Sequence, residues 1–434
     1  MARAEHVDLV EVHCWGQLVG AVAQARHSDA CVFEYDPRWR RSGIELSPLL
    51  LPTRNRSGQF SFPGLSRETY KGLPGLLADA LPDRFGNALI DAWMAQRGIP
   101  ASAISVLDRL AYMGSRGMGA LQFRPVLGSE DTPSVPIQLA SLVEAARRAV
   151  SGSVDDSHAA QSLNRIIEVG TSAGGARAKA VIGWDRAQQQ IVSGQFDLPD
   201  GFEHWLLKFD GVGSDAQLGP SQQYGRIEYA YHLMARAAGI EMADCQLLEE
   251  GGRAHFVTRR FDRQGNARAH LQSLCAMAHV DYNLQASNAY ETLFITAAEL
   301  GLGDAAMTQL LRRMVFNVAA ANNDDHSKNF AFLLPPPLEG QALPAWQLAP
   351  AYDITYAFDP DNQWLRQHLM SVNGRFAGIT RADLARVADR FSIAGLREVI
   401  DSVNAAVQRW PEFAGSAGLD PAETVRIGGH LQRL

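Results

Sequence analysis

"NNDDHSKN", residues 322–329, follows an apolar, helix-like run, "LLRRMVFNVAAA" (310–321), and leads into a strand-like one, "FAFLLPPP" (330–337). Two carboxylates, an imidazole, an ammonium and three side-chain amides thus fall where a helix should end and a strand should start. Asp324 and Asn329 have four residues between them, the Asp-x-x-x-x-Asn spacing of a kinase catalytic loop. The chemistry explains the spacing. One carboxylate must accept or orient the proton of an attacking hydroxyl, and an amide oxygen must reach a Mg²⁺ that clamps phosphates. A short loop can aim both the same way. Downstream, "LAPAYDI" (348–354) places Asp353 after an apolar run, a second hard oxygen ligand of the kind Mg²⁺ takes. Ile354 and Thr355 follow it where ordinary kinases have Phe-Gly, so the match is of role and spacing.

Two other readings of the stretch stand beside this one. Asp and Asn commonly cap and turn, which accounts for Asn322–Asp325 but poorly for Asn329. A metal-dependent phosphohydrolase could use Asp324, Asp325 and His326, but no second histidine stands at metal-ligand spacing.

Working upstream, "GTSAGGARAK" (170–179) carries Gly170, Gly174 and Gly175 with Lys179 after them. Glycines let backbone N–H groups converge on an anion, and a nearby lysine neutralises it. The stretch lacks the ending of a Walker A loop, and a plain turn is the alternative. In "HWLLKFD" (204–210), alternation puts Trp205, Leu207 and Phe209 on one strand face, with Leu206 and Lys208 on the other. Glu228, in an amphipathic helix, is a candidate partner for Lys208, as a strand Lys and a helix Glu pair in kinases. The bland alternatives are a solvated strand lysine and an exposed helix charge.

The 434 residues suffice for two or three units, with ordinary globular composition: 46% apolar and 20% charged. The net charge of −7 argues against a protein that grips DNA over a broad face by itself. Cys14, Cys31, Cys245 and Cys275 are scattered, with no CxxC pair, and read as buried small hydrophobes in a reducing compartment. No signal peptide and no membrane span are expected, so the chain reads as cytoplasmic.

Period-two alternation over 7–36 predicts a hairpin or small sheet. The spacing of 221–240 predicts a helix with Ile227, Tyr231 and Met234 on one stripe, and "EEGG" (249–252) a hairpin turn. Helices are predicted at 289–300, 305–321, 381–390 and 394–408. The class is therefore α+β: β-rich first, mostly helical after about residue 260, with a cleft expected between two lobes.

Taken in order, "LPGLLADALPDRFGNALI" (73–90), "GTSAGGARAKAVI", "WLLKF", "EYAYHLMARAAGI", "FVTRRFDR", "NNDDHSKNF" and "LAPAYDI" resemble the HipA family of bacterial serine/threonine kinase toxins. The resemblance covers about 10–410. It implies a two-lobed, protein-kinase-like fold: an N-terminal subdomain at 1–125, the rest of the N-lobe with its Gly-rich loop at 126–258, and a helical C-lobe at 259–434. It implies Asp324 as catalytic base, Asn329 and Asp353 as Mg²⁺ ligands, and Lys208 on ATP phosphates with Lys179, Gly174 and Gly175 nearby. Arg259–Phe261 would meet adenine, His326 the ribose, and Ser172 would be the autophosphorylation site. It further implies a small helix-turn-helix, HipB-like antitoxin that carries most contact with operator DNA, and a protein substrate such as an aminoacyl-tRNA synthetase. Asp325 departs from the family, which often has Gly there. A second acid could repel ATP or add a metal ligand, and it leaves a non-catalytic co-repressor as the alternative function.

Overall fold

In a computed structural model, the residues described are 6–25, 28–82, 84–127, 136–151, 178–211 and 223–434. They fall into two compact units. The first draws on Met1–Gln222, Leu248–Gln272 and Leu334–Ala345, the second on Gln223–Leu247, Ser273–Leu333 and Trp346–Leu434. Among the described residues no helix is long and apolar enough to cross a membrane. All four cysteines are buried and unbridged.

The alternation at the N-terminus gives β1 (Leu9–Cys14), β2 (Gln17–Gln24) and β3 (Cys31–Tyr35). With β4 (Gln59–Phe60) and β5 (Leu121–Arg124) they form an antiparallel sheet in the order β4-β3-β2-β1-β5. Val10, Val12 and Cys14 point into the core, while Leu9 and Glu11 face solvent. Trp15 and Gly16 both take positive φ (49° and 75°), the two-residue hairpin turn whose twist matches the strands. The helices α1 (Arg84–Ala95) and α2 (Val106–Met113) come next, α2 opening on a capping box between Ser105 and Asp108. Asp108 also accepts the Val7 N–H at 3.0 Å, which ties the entry of β1 to the start of α2.

The second sheet of this unit contains β6 (Lys179–Asp185), β7 (Gln190–Ser193), β8 (Glu203–Lys208), β9 (Cys245–Glu250) and β10 (Arg253–Arg259), in the order β7-β6-β8-β10-β9. Gly251 and Gly252, φ 54° and 79°, make the tight turn that "EEGG" predicts. Phe85 and Leu89 of α1, and Leu142 and Val143 of α3 (Leu139–Ser151), share one core with Trp184, Trp205 and Leu207. The predicted alternation of Trp205, Leu207 and Phe209 is thus a core-facing stripe.

The second unit is mostly helical: α4 (Tyr224–Ala237), α5 (Tyr290–Glu299), α6 (Asp304–Ala319), α7 (Arg381–Arg390) and α8 (Leu396–Gln408). These match the predicted spans to within a few residues. Two further helices, α9 (Trp410–Ser416) and α10 (Pro421–Gly428), lie beyond the predicted ones. Ile227, Tyr231 and Met234 are buried, as their stripe requires. Tyr231 packs edge-on against Trp410 at 5.3 Å. After α6, the short strand β11 (Ala331–Leu334) pairs antiparallel with β12 (Gln347–Leu348) through Phe332↔Leu348.

The C-terminal end of α6 positions the 322–329 loop, because the last carbonyls of the helix need partners. Ala321 takes φ 50°, and the Asn322 N–H reaches back to the Asn317 carbonyl at 3.1 Å, a Schellman closure with alanine where glycine is usual. Gln432 donates to the Val318 and Ala319 carbonyls, the Tyr231 hydroxyl to Ala320, and the Ala357 N–H to Ala321. Each of these carbonyls is satisfied, so the helix ends at one defined point and the loop leaves it in one direction.

Candidate functional site

The loop leaving α6 runs extended as far as His326 and closes in a 3₁₀ turn at Ser327–Asn329, and its side chains alternate in exposure. Asn323, Asp325 and Ser327 are buried, while Asp324, His326 and Lys328 are partly exposed. The inward set is locked. Asn323 donates to the Leu365 carbonyl at 2.8 Å and Ser327 to the Val280 carbonyl at 2.6 Å. Asp325 Oδ2 accepts from the Tyr290 hydroxyl and His368 Nδ1, both at 2.8 Å. Its Oδ1 accepts from the Leu369 and Met370 N–H groups at 2.8 and 3.4 Å. Asn317 then donates to the Tyr290 oxygen, and Asn322 to Asn317, each at 2.9 Å. Burial, and next the Asp325 carboxylate, push the Tyr290 phenol well above its ordinary range, so it stays a donor. Asp325 is therefore a structural keystone, its oxygens occupied by four donors.

The outward set stays partly accessible. The Asp324 side chain is 47% exposed, with His326 Nε2 at 3.7 Å from its Oδ1. His326 also tilts against Tyr282, centroids 5.4 Å apart. Asn329 closes the loop: its Nδ2 donates to the Asp324 carbonyl at 2.8 Å, which commits the amide nitrogen and leaves the amide oxygen for another task. Asn329 and Asp353 line one small cavity with Arg313, Asn317, Asn322 and Asp325. Asp353 holds φ 54°, an unusual conformation for a residue other than glycine and one that recurs at functional positions. One carboxylate and one amide oxygen in a cavity fit a hard, oxygen-seeking cation such as Mg²⁺, which keeps its remaining positions for water or phosphate. Among the described residues, no three His, Cys, Asp or Glu side chains gather into a ligand set.

The other predicted residues are spread over both units. Glu228, on α4 of the second unit, is 4% exposed, so it is not the exposed helix charge of the bland alternative. In the first unit, Lys179 and Lys208 are direct cross-strand partners of β6 and β8, at 4% and 7% exposure. Lys208 Nζ also lies 5.6 Å from the Phe256 ring centroid. Arg259 ends β10 and pairs with Glu203 at 3.4 Å, and Phe261 is partly buried after it. Gly174, Gly175 and Ser172 lie outside the described residues.

Sequence reasoning missed a cluster around "RRFDR". Asp262 is fully buried and accepts from Arg260 and Arg263, at 2.7 and 2.6 Å, and from the Gly119 N–H at 2.7 Å. Burial alone would raise its carboxyl, but the two guanidiniums hold it well below the carboxylate range. Arg263 also donates to the Gly117 and Gly119 carbonyls, so the motif clamps the Gly-rich turn before β5. The signal was present: one acid among three arginines in an otherwise apolar strand end.

Comparison with known proteins bears on this arrangement. Residues 171–410, more than half of the chain, match the model of the HipA-like C-terminal domain, and residues 10–124 match that of the HipA N-terminal domain. Over 212 residues, 44% of the chain, it is 27% identical to the protein named "Putative kinase Y4dM" of Sinorhizobium fredii. The chain spans about half (49%) of that relative's length. Among solved structures, HipA of Shewanella oneidensis MR-1, in complex with HipB and its operator DNA, aligns over 97% of this chain and 94% of that one. The TM-score is 0.62 at 18% identity, a likeness of fold. The Helicobacter pylori proinflammatory kinase CtkA aligns over 53% of this chain and 88% of its own, with a TM-score of 0.33 at 12% identity, too loose to argue from. With both family models matched in order along the sequence, the chain belongs to the HipA family.

Proposed function

We propose that the chain is a Mg²⁺/ATP-dependent serine/threonine protein kinase and the toxin of a toxin–antitoxin pair. The observation that carries this reading is the division within 322–329. Every second residue is locked inward, Asp324 stays accessible, and the Asn329 amide oxygen shares a cavity with Asp353. In this reading Asp324 accepts the proton of a substrate hydroxyl as that oxygen attacks the γ-phosphorus and ADP departs. Asn329 and Asp353 would hold Mg²⁺, which supplies neutralisation of the phosphate charge. Lys179 and Lys208 offset the remaining phosphate charge, with Gly174 and Gly175 beside them and Glu228 as the candidate partner of Lys208. Arg259–Phe261 would border adenine and His326 the ribose.

Autophosphorylation at Ser172 belongs to the same proposal. A phosphoserine there brings about −2 of charge to where ATP phosphates sit, and silences the enzyme. So does the division into an N-terminal subdomain (1–125), the rest of an N-lobe (126–258) and a helical C-lobe (259–434). The partner we infer is a HipB-like antitoxin that carries the operator contact, in line with the Shewanella complex and with a net charge of −7. The substrate we infer is a translation component such as an aminoacyl-tRNA synthetase.

Incubation of dephosphorylated protein with γ-labelled ATP and Mg²⁺ tests the reading. Label is expected on serine or threonine of the chain itself and of a lysate protein. Release of free phosphate without protein labelling would favour the hydrolase instead, and no transfer at all would favour the non-catalytic co-repressor.

A further inference from the structure

The cavity beside Asn329 and Asp353 also contains a buried cation, Arg313 of α6, at 2% exposure. One of its nitrogens, Nη2, donates to the Ala349 carbonyl at 2.7 Å. Nε and Nη1 meet no acceptor among the described residues, and no carboxylate pairs with the guanidinium there. Burial lowers its pKa to about 10, with Tyr352 and Glu241 acting against the shift, so it is charged at neutral pH. A buried charge without a counter-ion is costly, and an arginine kept only for packing would be better replaced by a hydrophobe of similar volume. Its position gives the cost a use. The Ala349 carbonyl lies four residues before Asp353, so Arg313 both fixes the segment that presents Asp353 and brings positive charge to the same cavity.

We propose that Arg313 is a positioning and specificity-determining residue that makes divalent-cation binding at Asn329 and Asp353 conditional on nucleotide. Its charge opposes a bare cation in the cavity. The phosphate oxygens that arrive with ATP offset that opposition, so the ion enters as a metal–nucleotide complex. The inference rests on Asn329 and Asp353 being metal ligands, as proposed above.

Electron paramagnetic titration of the full chain with Mn²⁺, with and without a non-hydrolysable ATP analogue, tests it. The wild type should bind Mn²⁺ weakly alone and at least roughly tenfold more tightly with the analogue. R313Q and R313M should bind Mn²⁺ alone roughly tenfold more tightly than the wild type, because a like charge has gone. R313K should stay near the wild type. A purely structural arginine predicts the opposite sign, since a loosened Asp353 segment would weaken metal binding. Folded R313Q or R313M that binds bare Mn²⁺ no more tightly, with analogue-dependent binding intact, overturns the inference and leaves the kinase reading standing. Should neither variant fold, a wild type whose Mn²⁺ affinity is the same with and without analogue overturns it as well. A wild type that binds no Mn²⁺ even with analogue, and that D353N leaves unchanged, removes the metal-ligand reading and the inference together.

Discussion

Asp324 and Asp325 are adjacent acids with opposite surroundings, and the alternation of an extended loop is the cause. Asp325 is buried and accepts from four donors. Asp325→Asn replaces an acceptor with an amide that confronts one of them. A loss of about 2–4 kcal/mol in urea denaturation is therefore expected. A loss below about 0.5 kcal/mol, the range of an ordinary surface change, would remove Asp325 from its structural role. Spacing alone picks out Asp324 and Asn329, because both lie on one short stretch. It is silent on Asp325, whose partners Tyr290 and His368 stand 35 and 43 residues away.

At the scale of the element, the end of α6 fixes where the loop begins. Ala321 sits at the left-handed closing position, φ 50°, where a Cβ costs roughly 1–2 kcal/mol. Ala321→Gly should therefore raise stability by about 1 kcal/mol, part of the relief being offset by glycine's freedom in the unfolded chain. A fall in the urea midpoint would contradict the account of this cap. Helix positions were legible from apolar periodicity, as α5 to α8 demonstrate. This cap was not, since alanine is the strongest helix former and gives no stop signal. The facing of Lys179 and Lys208 was also hidden, because it depends on the register of β6 against β8, which neither strand encodes alone.

Across the whole molecule, His204, His232, His270 and His279 each have their pKa lowered to about 4, burial being the largest cause. A folded pKa below the unfolded value of about 6.5 means that the unfolded chain takes up protons first. Stability from these groups is full above pH ~6.5 and lost as pH falls toward ~4. The melting temperature should hold level near neutral pH and drop below pH ~6.5; a profile flat down to pH ~4.5 would contradict the buried, neutral histidines. The α+β class and its division into a sheet-rich and a helical part were legible from pattern. The charges of the Arg260–Asp262–Arg263 cluster stand in the sequence, but what they clamp was not legible, because Gly117 and Gly119 belong to a turn more than a hundred residues earlier. The central claim is that the outward face of 322–329 performs phosphoryl transfer. It is tested most directly by kcat for transfer from ATP in Asp324→Asn, with melting temperature and ATP affinity measured on the same preparation. The account predicts a fall in kcat of roughly 10²–10⁴-fold with the fold and ATP binding kept. A variant whose kcat stays within a few-fold of the wild type would contradict it.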